Sequence, residues 1–210
     1  MTLHDISPVV SPRLAVFPGD TPMSREVLLD QKRGDPITLS TIRATVHLGA
    51  HVDGPSHYGV EGATIDRQAL ELYIGPCRVV RARAMPRQRL RLEDLDGPID
   101  TDRLLISTAT HPDPDRWTDQ FAALDPGLVD ALHDRGVRLV GIDTPSVDLA
   151  DSTDLPSHAR FLANDMAILE GIVLSGVAPG RYELIALPLS LEGFDASPVR
   201  AVLRDLPDRV

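Results

Sequence analysis

Three of the chain's seven histidines and one carboxylate fall within a single short run, His47-Leu48-Gly49-Ala50-His51-Val52-Asp53-Gly54-Pro55-Ser56-His57. Neutral imidazole nitrogen and carboxylate oxygen are the donors that zinc and related divalent ions take, and a cation held this way can activate water. Gly49, Gly54 and Pro55 argue against a continuous helix, so the run reads as an irregular loop that gathers ligands. The His47-x3-His51 spacing also suits the helix of a zinc protease. That motif needs Glu directly after the first histidine, and position 48 is Leu. A lone loop histidine is ordinarily a solvated polar residue, but a cluster this dense reads as one functional group. A structural zinc site would favour cysteine thiolates. The chain's one cysteine, Cys77, sits in the strand-like run Gly75-Pro76-Cys77-Arg78-Val79-Val80 and reads as a small core residue. His4, His111 and His133 carry no comparable signal.

The elements that must hold this run are mostly short. Eighteen prolines and fifteen glycines, spread throughout, predict many brief elements joined by substantial loops. Apolar and β-branched stretches predict strands at 38–46, 78–83, 104–107, 138–142, 168–174 and 182–187. The first would deliver His47 at a strand end, on a rigid support. The runs at 138–142 and 182–187 are apolar enough to be buried on both faces. One helix is well signalled, with Asp125 as cap, Pro126 in the first turn, Leu128, Val129 and Leu132 on one face, and Gly136 as the stop. A second, short helix is predicted over 159–165. Helix followed at once by strand points to an α/β fold in which strands outnumber helices.

Composition narrows the function. The 210 residues fit one domain, 1–210, with 42% hydrophobic content and a formal net charge of -10. That charge disfavours nucleic acid and anionic membrane surfaces as partners. No apolar stretch nears the ~20 residues that cross a bilayer. The polar start Met1-Thr2-Leu3-His4-Asp5 and the single cysteine lead to the expectation of a cytoplasmic protein.

The run at 47–57 resembles the signature of the metal-dependent cyclase-like hydrolases, a family that includes the bacterial kynurenine formamidases. Further matches are Asp5-Ile6-Ser7-Pro8, Val16-Phe17-Pro18-Gly19-Asp20-Thr21-Pro22, Gly141-Ile142-Asp143-Thr144-Pro145-Ser146, Leu169-Glu170-Gly171 and the tail from Leu191 to Arg200. The resemblance covers nearly the whole chain, and the two end segments look like the formamidase branch. It implies a compact, sheet-rich α/β unit of the swivelling β/β/α type with few helices, paired as a homodimer. It also implies two zinc ions per subunit, with manganese as the substitute. His47, His51, Asp53 and Glu170 would hold one ion, and Asp53, His158 and Glu170 the other. His57 would be the general acid/base. Phe17 would lie against the substrate where formamidases carry Trp; it keeps an apolar face but loses area and the indole N–H.

For His158 and Glu170 to share ions with the 47–57 run, the chain must turn back between them. Twelve residues of unbroken helix would part them by about 18 Å. A helix from His158, a turn near Asp165 and a strand carrying Glu170 would bring them together. The implied activity is hydrolysis of N-formyl-L-kynurenine to L-kynurenine and formate. Alternatives are a relative acting on another aryl or cyclic amide such as isatin, and a metal-binding module without turnover. A polyketide-type cyclase has little support beyond the family's name.

Overall fold

The computed structural model describes residues 2–206. Its strands are β1 (Leu3–Asp5), β2 (Ser24–Leu29), β3 (Leu39–Arg43), β4 (His51–Asp53), β5 (Ile74–Ala82), β6 (Arg89–Leu90), β7 (Leu95–Asp96), β8 (Arg103–Ser107) and β9 (Ala123–Leu124). Helix α1 (Pro126–His133), β10 (Leu139–Ile142), α2 (Pro156–Ala163), β11 (Ala167–Glu170), β12 (Gly180–Ile185), β13 (Ala196–Pro198) and β14 (Val202–Asp205) complete the chain. One mixed sheet runs in the order β1-β14-β12-β5-β8-β10-β11-β4-β13, with β7 paired to β5. Its centre, β5-β8-β10-β11, is parallel; the flanking pairs are antiparallel. Parallel strands need crossovers, and α1 and α2 supply two of them, before β10 and β11.

Side-chain alternation sorts the core into two layers. Leu104, Ile106, Val140, Ile142 and Ile168 pack with Leu128, Val129 and Leu132 of α1 and Phe161 of α2. Their neighbours Leu105, Leu139 and Leu169 point to the other layer, with Val52, Cys77, Leu184 and Leu203. That second layer draws on strands from both halves of the sheet order, so the sheet curls over its own face. The outcome is the sheet-rich α/β architecture with few helices that the resemblance implied, two α-helices among the described residues.

Asp125 caps α1 by accepting from Gly127 N–H, Pro126 stands at its start, and Cys77 is buried, all as the sequence predicts. Four expectations need correction. The strand predicted over 38–46 ends at Arg43, pairs only with β2, and exposes every residue, so it is no rigid support for His47. The 47–57 run is not wholly irregular, because His51–Asp53 forms β4 between β11 and β13. β10 is buried throughout, but β12 alternates, with Tyr182 and Leu184 in the core and Arg181 exposed on the other face. The strand predicted over 168–174 stops at Glu170, where Gly171 turns the chain with φ +65°.

Candidate metal centre

Strand periodicity assembles half of the site. His51 and Asp53 are two apart on β4 and so share a face, while Val52 between them enters the core. β11 lies antiparallel beside β4 with Glu170 directly opposite His51, which places its carboxylate on the same face. Gly171 makes this approach possible: a Cβ there would stand 2.2 Å from the Gly49 carbonyl oxygen. After α2 the chain reverses at Asn164-Asp165 and runs up β11, so His158 and Glu170 do converge on the 47–57 run, as the fold-back expectation required.

Each of the three imidazoles around Asp53 is tied on its outer side. His51 Nδ1 lies 2.9 Å from the Gly49 carbonyl oxygen, His47 Nε2 2.9 Å from Asp195 Oδ2, and His158 Nδ1 2.9 Å from Asp148 Oδ2. An N–H donated outward leaves the inner nitrogen with a free lone pair, the tautomer a metal ligand needs. The inner nitrogens face Asp53: His47 Nδ1 at 3.2 Å, His51 Nε2 at 3.5 Å and His158 Nε2 at 3.6 Å. Glu170 completes the ring, with Oε2 3.3 Å from His51 Nε2 and Oε1 3.7 Å from His158 Nε2. Val147 N–H donates to Glu170 Oε1 at 2.7 Å and fixes the carboxylate.

Asp53 tests whether this ring suits a cation. Its side chain is buried, and neither carboxylate oxygen has a hydrogen-bond partner. A buried, unsatisfied carboxylate is costly, and imidazoles at 3.2–3.6 Å, none hydrogen-bonded to it, do not cure it. A divalent cation among the facing lone pairs would. Burial pushes the Asp53 pKa up, but contact with His158 and His47 and the charge of His51 hold it well below the usual carboxylate range. The residues present therefore fit a cation. Within ligand reach of one another are His47, His51 and Asp53, and also Asp53, His57 and His158. The second grouping puts His57, expected to remain off the metal, close enough to bind one.

His57 is exposed as a residue, with its side chain 33% accessible, Nδ1 3.4 Å from Asp195 Oδ2 and its ring 4.1 Å from that of His47. Burial lowers its pKa below the ordinary imidazole value. Two supporting residues had no signal in sequence spacing. Asp195 touches both His47 and His57 from the C-terminal tail. Asp148 is buried and accepts from the backbone N–H groups of Ser157 and His158, both at 3.1 Å, while pairing with Arg89 at 2.7 Å. It caps α2, whose own N-cap Leu155 has no side chain for the task, and it aims His158.

A cavity of about 610 Å³ opens onto the imidazoles and Glu170. Phe17 stands in its wall and packs edge-on against Trp117 with ring centroids 4.9 Å apart.

Fold and donor set together describe an α/β protein with a His/carboxylate cluster suited to a cation, near one end of a mixed sheet. The chain belongs to the putative cyclase family, whose model matches residues 4–149, a span that holds the whole 47–57 run. Solved structures agree over almost the full length. A potential metal-dependent hydrolase with cyclase activity is 26% identical with a TM-score of 0.84, covering 98% of both chains. A predicted metal-dependent hydrolase from Bacillus stearothermophilus is 27% identical with a TM-score of 0.80, covering 96% of this chain and 97% of that one. Isatin hydrolase A from Ralstonia solanacearum, 21% identical with a TM-score of 0.82, covers 96% of this chain and 91% of its own and shares the fold.

Proposed function

We propose that this protein is a metal-dependent amide hydrolase that cleaves N-formyl-L-kynurenine to L-kynurenine and formate. The observation that carries the reading is the buried, unpartnered Asp53 carboxylate, ringed by three imidazoles and Glu170 beside an aromatic-walled cavity. Family membership and the metal-dependent hydrolases of like structure support it.

Zinc is the proposed cation, two per subunit, and His47, His51, Asp53, His158 and Glu170 would hold it; manganese accepts the same donors. When bound, such ions would acidify a water and polarise the carbonyl to be attacked. The chain's own residues do the rest. Phe17 and Trp117 hold the aryl ring. His57, with its pKa lowered and Nδ1 3.4 Å from Asp195 Oδ2, is neutral near pH 7 and accepts a proton from the attacking water. It then returns that proton to the departing aryl amine, which is a poor leaving group until protonated. Asp195 keeps the ring in place between these transfers.

The reading includes a homodimer working on a small molecule in the cytoplasm, without nucleic-acid or membrane partners. Among the described residues no helix is long and apolar enough to cross a membrane. Light scattering tests the dimer.

The deciding experiment is hydrolysis of N-formyl-L-kynurenine by the protein as purified, after chelation, and after zinc or manganese is restored. Activity should vanish with chelation and return with metal. Unchanged turnover in metal-free protein would refute the reading. The fold shared with isatin hydrolases, together with Phe17, favours isatin as the second substrate to assay. A faster rate on isatin would transfer the assignment to it.

A further inference from the structure

We propose that the β2–β3 hairpin is an arm that docks on a second copy of this chain, and that this docking steadies the His47 side of the cavity. The inference deepens the homodimer of the reading above and rests on that part of it alone. It assigns the surface that pairs and what pairing does to the site.

The hairpin stands apart from the body. β2 and β3 pair only with each other, and no residue of the segment 24–43 belongs to either core layer. Thr45 N–H donates to the Thr21 carbonyl oxygen at 2.9 Å and closes the root. From Thr21 to Leu29 an extended chain reaches about 26 Å at ~3.3 Å per residue. Leu28, Ile37 and Leu39 lie toward the far end and Ile42 nearer the root, each 46–62% exposed. A two-stranded hairpin is marginal in water by itself, and exposed apolar side chains grouped on one mark a surface that something covers.

Area and charge both favour a second copy as the cover. The chain exposes 10986 Å². A monomer of 22.8 kDa ordinarily exposes about 9,600 Å². The surplus of about 1,400 Å² exceeds the roughly 800 Å² that each partner gives to a stable complex. Two copies at -10 each repel, and they approach most easily where that charge is absent. Residues 24–43 hold four basic and three acidic side chains, so the arm stands at +1 and the rest of the chain at -11. Of the four basic groups, only Arg33 has an ion-pair partner among the described residues, Asp30. A slightly cationic arm with an apolar tip is complementary to the acidic body of its own kind. In a two-fold dimer each copy gives one arm and receives one.

The roots of the arm tie this contact to the site. Phe17, Asp20 and Thr21 on the way in, and Ala44, Thr45 and His47 on the way out, line the cavity. β3 alone gives His47 no rigid support, since all five of its residues are exposed. An arm clamped by a second copy holds both roots still. A loose arm lets His47 drift from Asp53, whose Oδ1 lies 3.2 Å from His47 Nδ1. Pairing and cation binding are therefore coupled, and linkage makes the coupling reciprocal.

The test measures dimer dissociation by light scattering on dilution, with metal-free and with zinc-loaded protein. Zinc should tighten the wild-type dimer about 10-fold. Leu28→Glu/Leu39→Glu should raise the dissociation constant at least about 100-fold, with the β-sheet circular-dichroism signal intact. The resulting monomer should bind zinc about 10-fold more weakly than the dimer. Hydrogen exchange adds a readout that needs no substitution: in wild type, the amides of 24–43 should gain protection as concentration rises. A wild type that stays monomeric overturns the proposal, as does exchange in 24–43 that ignores concentration. A double variant that pairs as tightly as wild type leaves a homodimer but takes the arm out of it. Equal zinc affinity in monomer and dimer overturns the coupling. None of these readouts uses hydrolysis, so a protein inactive on N-formyl-L-kynurenine that still pairs through its arms would refute the proposed reaction and keep this interface.

Discussion

Asp53 is the residue on which the site depends. Its two oxygens face three imidazoles and are satisfied by none, so removing its charge should leave the imidazoles without a shared centre. Asp53→Asn should fold but retain little metal, measured by elemental analysis after dialysis. His57 poses a sharper question, since it lies within ligand reach of Asp53 and His158 yet is assigned the proton. His57→Ala should keep its metal and lose about 10²–10⁴-fold in kcat, the range of a lost acid/base. A variant that loses metal instead would make His57 a ligand. Asp148 acts through His158 and through the start of α2. Asp148→Ala should weaken metal binding by about 10–100-fold and also lower thermal stability.

At the scale of elements, the site is a product of register. Glu170 meets His51 because β11 and β4 pair at that residue; a slip by one would turn Glu170 into the core and Leu169 toward the cation. Gly171 guards that register. Its φ of +65° and the 2.2 Å approach to the Gly49 carbonyl oxygen admit no side chain. Gly171→Ala should cost at least about 2 kcal/mol in denaturant unfolding and displace Glu170, so metal affinity should fall with stability. Stability unchanged by that substitution would show that the β11 turn has room to relax. The helix cap at Asp125, the β10 core strand and the reversal after α2 were legible because capping residues, apolar runs and chain breakers act locally. β4 was not: three residues with a glycine and a proline directly after them read as loop, and pairing on both sides makes them a strand.

The whole molecule separates folding from metal binding. The apolar layers on either face of the sheet do not depend on the cation, so chelation should lower Tm and leave the β-sheet signal in place. Proton occupancy gives this a pH signature. Burial lowers the pKa of His47 and His158, but Asp53 and Asp195 about the first and Asp148 and Asp53 about the second raise them to about 9 and about 10. Both values exceed that of an unfolded histidine. Without metal, their contribution to stability is therefore complete below about pH 6.5 and is lost as pH climbs through 9 to 10. Metal-free protein should lose Tm over that interval, and metal-loaded protein much less. Metal uptake near neutrality should also release protons, seen as a buffer-dependent heat in calorimetry. A metal-free Tm that rises through the interval would contradict this proton assignment.

The sequence by itself determined the ligand types and their density, the α/β character with few helices, and the resemblance that pointed to His158 and Glu170. These are properties of neighbours along the chain, or of a pattern carried whole. Only the tertiary structure decided the outer partners, Asp148 and Asp195, and the proximity of His57 to a ligand position. Those depend on which faces meet when a sheet curls and two strands pair in one register, and local residue preference does not encode contacts between segments a hundred residues apart.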